Sequence, residues 1–124
     1  MTTETIQRDT TKAKEFFANK VAFSTGPMEI NYQMEQGEDL TLIDVRDEEA
    51  FEKGHLPGAI HVPEAQWKTP LGLRKNAMNI VYCYSQTCHR AAKAAVEFAV
   101  QGYLVMEMDG GFEAWKENKL KIEK

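Results

Sequence analysis

The sequence predicts an α/β domain built on a parallel sheet with helices on both faces. Three observations carry this prediction. Short runs rich in branched apolar residues, at 40–45, 59–62, 79–82 and 104–108, have the length and composition of strands. Segments of helical periodicity lie between them, and that alternation belongs to a parallel sheet covered on two sides. At 124 residues the chain has the size of one domain, because two would each be left with a marginal core.

Taken in order, residues 1–10 are polar and are expected to form a flexible N-terminus, ahead of a single domain over 11–124. From Thr11 a helical pattern sets Ala13, Phe16 and Phe17 on one face, with Lys12, Lys14 and Glu15 around it. The short apolar run 21–23 reads as a weak strand. Gly26-Pro27 then opens a second helix. Pro27 suits the first helical position, Glu29 sits near the positive end of the dipole, and Ile30 and Met34 share the buried face. Gly37 ends it. Residues 40–45 read as a buried strand, closed by Asp44 and Arg46. Asp47 is placed to cap a short helix through 51–53, after which Gly54, Pro57 and Gly58 force a turn.

Residues 59–62 give a brief strand stopped by Pro63. Residues 64–78 are irregular, with Trp67 and 71–73 expected to cover the sheet. The run 79–82 is the clearest strand, since Ile80, Val81 and Tyr82 are β-branched or aromatic. A polar loop follows, then a helix over about 89–101. Its polar residues Lys93, Glu97 and Gln101 form one narrow stripe and the rest is apolar, which predicts burial over most of its circumference. Gly102 ends it, residues 104–108 form another strand, and Gly110-Gly111 turn into a last helix whose Phe112 and Trp115 are expected to fill the core.

Composition excludes several classes. Fifteen Lys and Arg against nineteen Asp and Glu leave a formal charge of −4, so the electrostatic footprint of a nucleic-acid partner is missing. No run approaches membrane-spanning length and residues 1–9 carry no apolar leader, so a cytoplasmic protein without a membrane partner is expected. Two cysteines and three scattered histidines do not suffice for a zinc site, and neither metal nor cofactor is implied.

The two cysteines instead sit close together. In parallel sheets ligands gather at the carboxyl ends of strands, and Cys83 stands at the end of the clearest one. Tyr84, Ser85, Gln86, Thr87, Cys88 and His89 make the loop, and Arg90 begins the helix. Amide N–H groups at a helix start, with Arg90 and His89 beside them, lower a thiol from about 8.5 towards neutrality. A thiolate ringed by amides can attack a sulfur or phosphorus centre, and the same donors hold the anion that results. The plain alternative is an inert cysteine buried at a strand end. Cys88, near the first helical turn, admits three readings: a resolving thiol, a second acceptor, or an inert loop residue. His89 and Arg90 oppose the helix dipole unless they meet an anion.

Four segments resemble the rhodanese-like sulfurtransferase family, in its order and spacing across about residues 21–120. They are Leu42-Ile43-Asp44-Val45-Arg46, the segment from Gly54-His55-Leu56-Pro57-Gly58-Ala59 to Pro63, Val81-Tyr82-Cys83, and Gly110-Gly111-Phe112-Glu113-Ala114-Trp115. The resemblance implies a five-stranded parallel sheet. It also implies that Cys83 takes a sulfane sulfur from a small anion such as thiosulfate, or from a persulfide donor, and passes it to cyanide or a thiol, including one on a protein. The loop from Tyr84 to Arg90 would cradle the persulfide. Asp44 and Arg46 would orient loops through an ion pair, and His55 and His61 would be hydrogen-bonded structural residues.

The chain also departs from the pattern. Six residues separate Cys83 from Arg90, Gln86 stands where a glycine is usual, and Tyr82 replaces the histidine that precedes the cysteine of the related phosphatases. These departures bear on donor and rate, not on the fold. Two other functions compete with sulfur transfer: a phosphatase or arsenate reductase on the same scaffold, and a non-enzymatic sensing or interaction module.

Overall fold

A computed structural model describes residues 9–124. Of the N-terminal segment expected to be flexible, residues 1–8 lie outside the described residues, while Thr10 already belongs to a helix. That helix, α1 (Thr10–Phe23), starts at Asp9, whose carboxylate accepts the Lys12 N–H at 2.9 Å. It runs through residues 21–23, which the sequence suggested as a strand; three apolar residues are too few to separate the two periods. The strand comes next, as β1 (Ser24–Thr25). Neither residue is apolar, and what makes them a strand is their register with Glu107 and Met108.

Helix α2 (Pro27–Glu35) opens on Pro27 and buries Ile30. Then follow β2 (Thr41–Asp44), α3 (Glu48–Lys53), β3 (Ile60–His61), a single 3-10 turn at Glu64–Gln66, β4 (Asn79–Tyr82), α4 (Arg90–Val100), β5 (Val105–Met108) and α5 (Gly111–Glu117). The five strands form one parallel sheet in the order β1-β5-β4-β2-β3. In the centre Leu42 pairs with Ile80, Ile43 with Val81, and Asp44 with Tyr82.

Strand alternation divides the core in two. Ile43, Val45, Val81 and Cys83 pack on one face with Trp67 and with Ala91, Ala94 and Phe98 of α4. Leu42, Ile80, Tyr82 and Met108 pack on the other with Ile30 of α2 and Trp115 of α5. Cys83 and Tyr82, though adjacent in sequence, therefore face opposite layers.

Two expectations of burial need correction. Helix α4 buries only Ala91, Ala94 and Phe98, and its Val96 and Val100 stand in solvent. A helix on the outer layer of a two-sided sheet meets it along one stripe, and among the described residues nothing covers its back. Trp67 does cover the sheet, but Leu71 is exposed. Among the described residues no helix is long and apolar enough to cross a membrane.

Candidate active site

Cys83 follows the last residue of β4 and is 2% exposed. The chain then folds back on itself, with the Cys88 N–H donating to the Ser85 carbonyl at 3.2 Å. This turn brings Cys88 over Cys83, whose thiol donates to the Cys88 carbonyl oxygen at 3.3 Å. Amide N–H groups of Ser85 and Ala91 point at the Cys83 sulfur, and those of Tyr84 and Arg90 at the Cys88 sulfur. The loop is thus a shared nest of amides around two sulfurs.

The two thiols titrate in opposite directions. Burial, together with the neighbouring Cys88 sulfur, pushes Cys83 up to about 11, against the pull of the two amides. Burial also disfavours the Cys88 anion. There the Cys83 thiol, the Arg90 and Tyr84 amides and the Arg90 charge outweigh it, and Cys88 is held below the ordinary thiol value. Cys88 is partly exposed, on the floor of a shallow depression of about 450 Å³ that His89, Lys93 and Glu107 also line. A larger cavity of about 700 Å³ lies against the other face of the sheet, between Tyr32, Met78 and Met106, away from both sulfurs.

The remaining loop side chains brace the turn. Gln86 Oε1 accepts the Gly110 N–H at 2.6 Å, and the Ser85 and Thr87 hydroxyls pair at 3.3 Å. The Tyr84 hydroxyl donates to Asp47 at 3.0 Å, and Arg90 reaches the same carboxylate at 2.9 Å. Arg90 is thereby turned towards α3, with its guanidinium 5.5 Å from the Tyr84 ring centre. Asp47 sits at the N-cap position of α3 but makes no cap hydrogen bond with its side chain. Sequence reading gave it the cap because spacing shows only the local use of a carboxylate; its partners lie 37 and 43 positions away. The Arg90 and Tyr84 contacts hold its carboxyl below the usual range.

Helix α5 fixes the loop from behind. The first amides of a helix have no intrahelical acceptor, and here the loop supplies two. Phe112 N–H donates to the Cys83 carbonyl at 2.8 Å, and Glu113 N–H to the Tyr84 carbonyl at 3.0 Å. Gly111 makes this approach possible. Its φ is +60°, and a Cβ there would sit 2.6 Å from the Ser85 nitrogen and 2.7 Å from the Cys83 oxygen.

The Asp44–Arg46 pair sits beneath, fully buried. Arg46 Nη2 donates to Asp44 at 2.7 Å and to the Gly54 carbonyl at 2.6 Å, while the Tyr82 hydroxyl donates to Asp44 at 2.6 Å. Arg46 also lies 4.1 Å from the Phe112 ring centre. The pair ties β2 to the turn after α3 and to α5, and does not reach the sulfurs. His55 and His61 bond to the Phe51 and Arg46 carbonyls at 2.9 and 2.7 Å and stack on Phe51, as structural histidines do.

A family model described as a rhodanese-like domain matches residues 28–118. The chain belongs to the rhodanese-like family. Among solved structures this rhodanese-like domain is similar to the BH2092 protein of Bacillus halodurans, with 31% identity, a TM-score of 0.84, and coverage of 93% of this chain and 86% of that one. A full-length protein of Lactobacillus plantarum matches at 21% identity and a TM-score of 0.80, over 93% of this chain and 98% of that one. A rhodanese-like domain protein of Staphylococcus aureus matches at 23% identity and a TM-score of 0.71, over 82% of this chain and 99% of that one. The last two likenesses concern the fold alone.

Proposed function

We propose that this rhodanese-like protein is a sulfurtransferase that moves sulfane sulfur through a persulfide on Cys83. The donor is a small sulfur-containing anion such as thiosulfate, or another persulfide, and the acceptor is a thiol or cyanide. The observation that carries the reading is the seat of the Cys83 sulfur, at the carboxyl end of β4 with the Ser85 and Ala91 amides directed at it. Such donors stabilise the negative charge of a persulfide where it develops. In the first half-reaction the Cys83 sulfur bonds to the outer sulfur of thiosulfate, the sulfur–sulfur bond of the donor breaks, and sulfite leaves with the electron pair. In the second, the acceptor takes the outer sulfur and Cys83 returns as a thiolate.

One observation favours a sensing or binding module instead. Cys83 is closed off from solvent, and Arg90 is occupied by Asp47 and does not cover the sulfur. The two readings part on a mass measurement. Sulfur transfer requires Cys83 of the reduced protein to take up one sulfur from thiosulfate or polysulfide, seen as added mass on Cys83 or, once that sulfur has moved on, as sulfite and hydrosulfide released. Cys83→Ser should lose that gain and bring sulfite release to background. A wild-type protein that gains no sulfur from either donor and releases no sulfite from thiosulfate, or a Cys83→Ser variant with undiminished transfer, would sink the proposal.

A further inference from the structure

We propose that Cys88 is the resolving thiol of a two-cysteine cycle, displacing hydrosulfide from the Cys83 persulfide and closing a disulfide between the two residues. This rests on the persulfide reading above and extends it from sulfur transfer to the reductive release of sulfur from a sulfane donor.

The first support is geometric. Cysteines whose Cα atoms are far apart cannot be bridged without moving the backbone. Here the turn from Ser85 to Cys88 has already brought the chain back, and the Cys83 sulfur lies 3.3 Å from the carbonyl oxygen of Cys88 itself. Both side chains pack against the same apolar cluster beside α4. The second support is the separation of roles. Cys83 is sealed under the loop, while Cys88 opens on the depression beside His89 and Lys93. The amides of Tyr84 and Arg90 are directed at Cys88, and its anion is favoured over that of Cys83. An attacking thiol is fastest when its pKa lies near the ambient pH.

The steps balance. Cys83 attacks the sulfane sulfur, its proton passes to the Cys88 sulfur beside it, and sulfite leaves. The Cys88 sulfur then attacks Sγ of Cys83. A bond forms between the two Sγ atoms, the bond from Cys83 to the outer sulfur breaks, and that sulfur departs as hydrosulfide with the Cys88 proton. The donor sulfur has been reduced and the two cysteines oxidised. An external dithiol returns both to thiols by exchange and is itself oxidised to a disulfide. The sum is thiosulfate plus dithiol giving sulfite, hydrosulfide, a proton and a disulfide.

The experiment uses the full chain, reduced and freed of reductant, then treated with thiosulfate. Free thiols are alkylated, peptides are mapped without reduction, and sulfite and hydrosulfide are measured. The wild type should end with Cys83 and Cys88 joined, two hydrogens lighter, with one hydrosulfide released per chain. Cys88→Ser should stop at the persulfide on Cys83, formed more slowly because solvent must take the proton, and should release hydrosulfide only when an external thiol is added. Cys83→Ser should do neither. A stable Cys83 persulfide in the wild type, with Cys88 still open to alkylation, overturns the resolving role and leaves the sulfurtransferase reading standing. If neither the wild type nor Cys88→Ser takes up sulfur or releases sulfite, the persulfide reading itself has failed, and the resolving role falls with it.

Discussion

Cys83 and Cys88 share one loop but not one environment, and the difference is set by which amides and charges each sulfur meets. Cys83 is raised to about 11, chiefly by burial, while Cys88 is lowered by the groups arranged around it. A thiol reacts with alkylating agents as its thiolate, whose fraction grows as the pH rises through the pKa. Cys88 should therefore be alkylated at a lower pH than Cys83, whose labelling should rise only as the pH nears about 11. Peptide mass spectrometry after short iodoacetamide pulses across a pH series gives the two curves separately. Coincident curves, or the reverse order, would contradict the assignment. The signal that Cys88 mattered was visible in the sequence as a second thiol at a helix start. Its contact with Cys83 was not, because it depends on the turn the loop takes.

At the scale of elements, the loop is held in shape by α5 and by α3 more than by the helix it leads into. Two loop carbonyls satisfy the first amides of α5, and Gly111 allows the backbones to touch. Gly111→Ala would place a methyl group against the loop backbone in a left-handed conformation, which alone costs about 1–2 kcal/mol. We expect a lower melting temperature together with faster labelling of Cys83 at fixed pH, since the loop must lift. Unchanged labelling would show that the loop does not depend on this contact. Helix α1 is the contrasting case. It buries no residue, and Phe16 and Phe17, set edge to face at 5.0 Å, both stand in solvent. The apolar face that the periodicity announced exists, but among the described residues nothing covers it.

For the molecule as a whole, the sheet was legible in proportion to how local its signals are. The branched runs of β2 and β4 announce buried strands by composition, and their pairing follows. β1 did not announce itself, since Ser24 and Thr25 are made a strand by β5, about 80 positions later. The same divide separates Trp115, readable as an anchor from its motif, from Asp47, whose role depends on three elements meeting. Trp115 is fully buried and its indole N–H donates to the Lys121 carbonyl at 2.9 Å. Trp115→Ala removes the ring from the Tyr82 layer and should cost about 3–5 kcal/mol. Chemical denaturation measures it, and a variant that loses activity at unchanged stability would mean that the ring acts on the site instead.

The clamp of α5 on the thiol loop also orders events during synthesis. A ribosome releases the chain from its N-terminus, so Cys83 and Cys88 emerge well before Gly111 and Phe112. β5, which joins β1 to β4, also emerges after the cysteines. Until these later residues arrive, β1 has no neighbour and the loop carbonyls of Cys83 and Tyr84 lack the amides that hold them. For that interval the nascent chain carries two thiols unsheltered by the nest, at the stage when long-range parallel pairing, slow by nature, is still to be made.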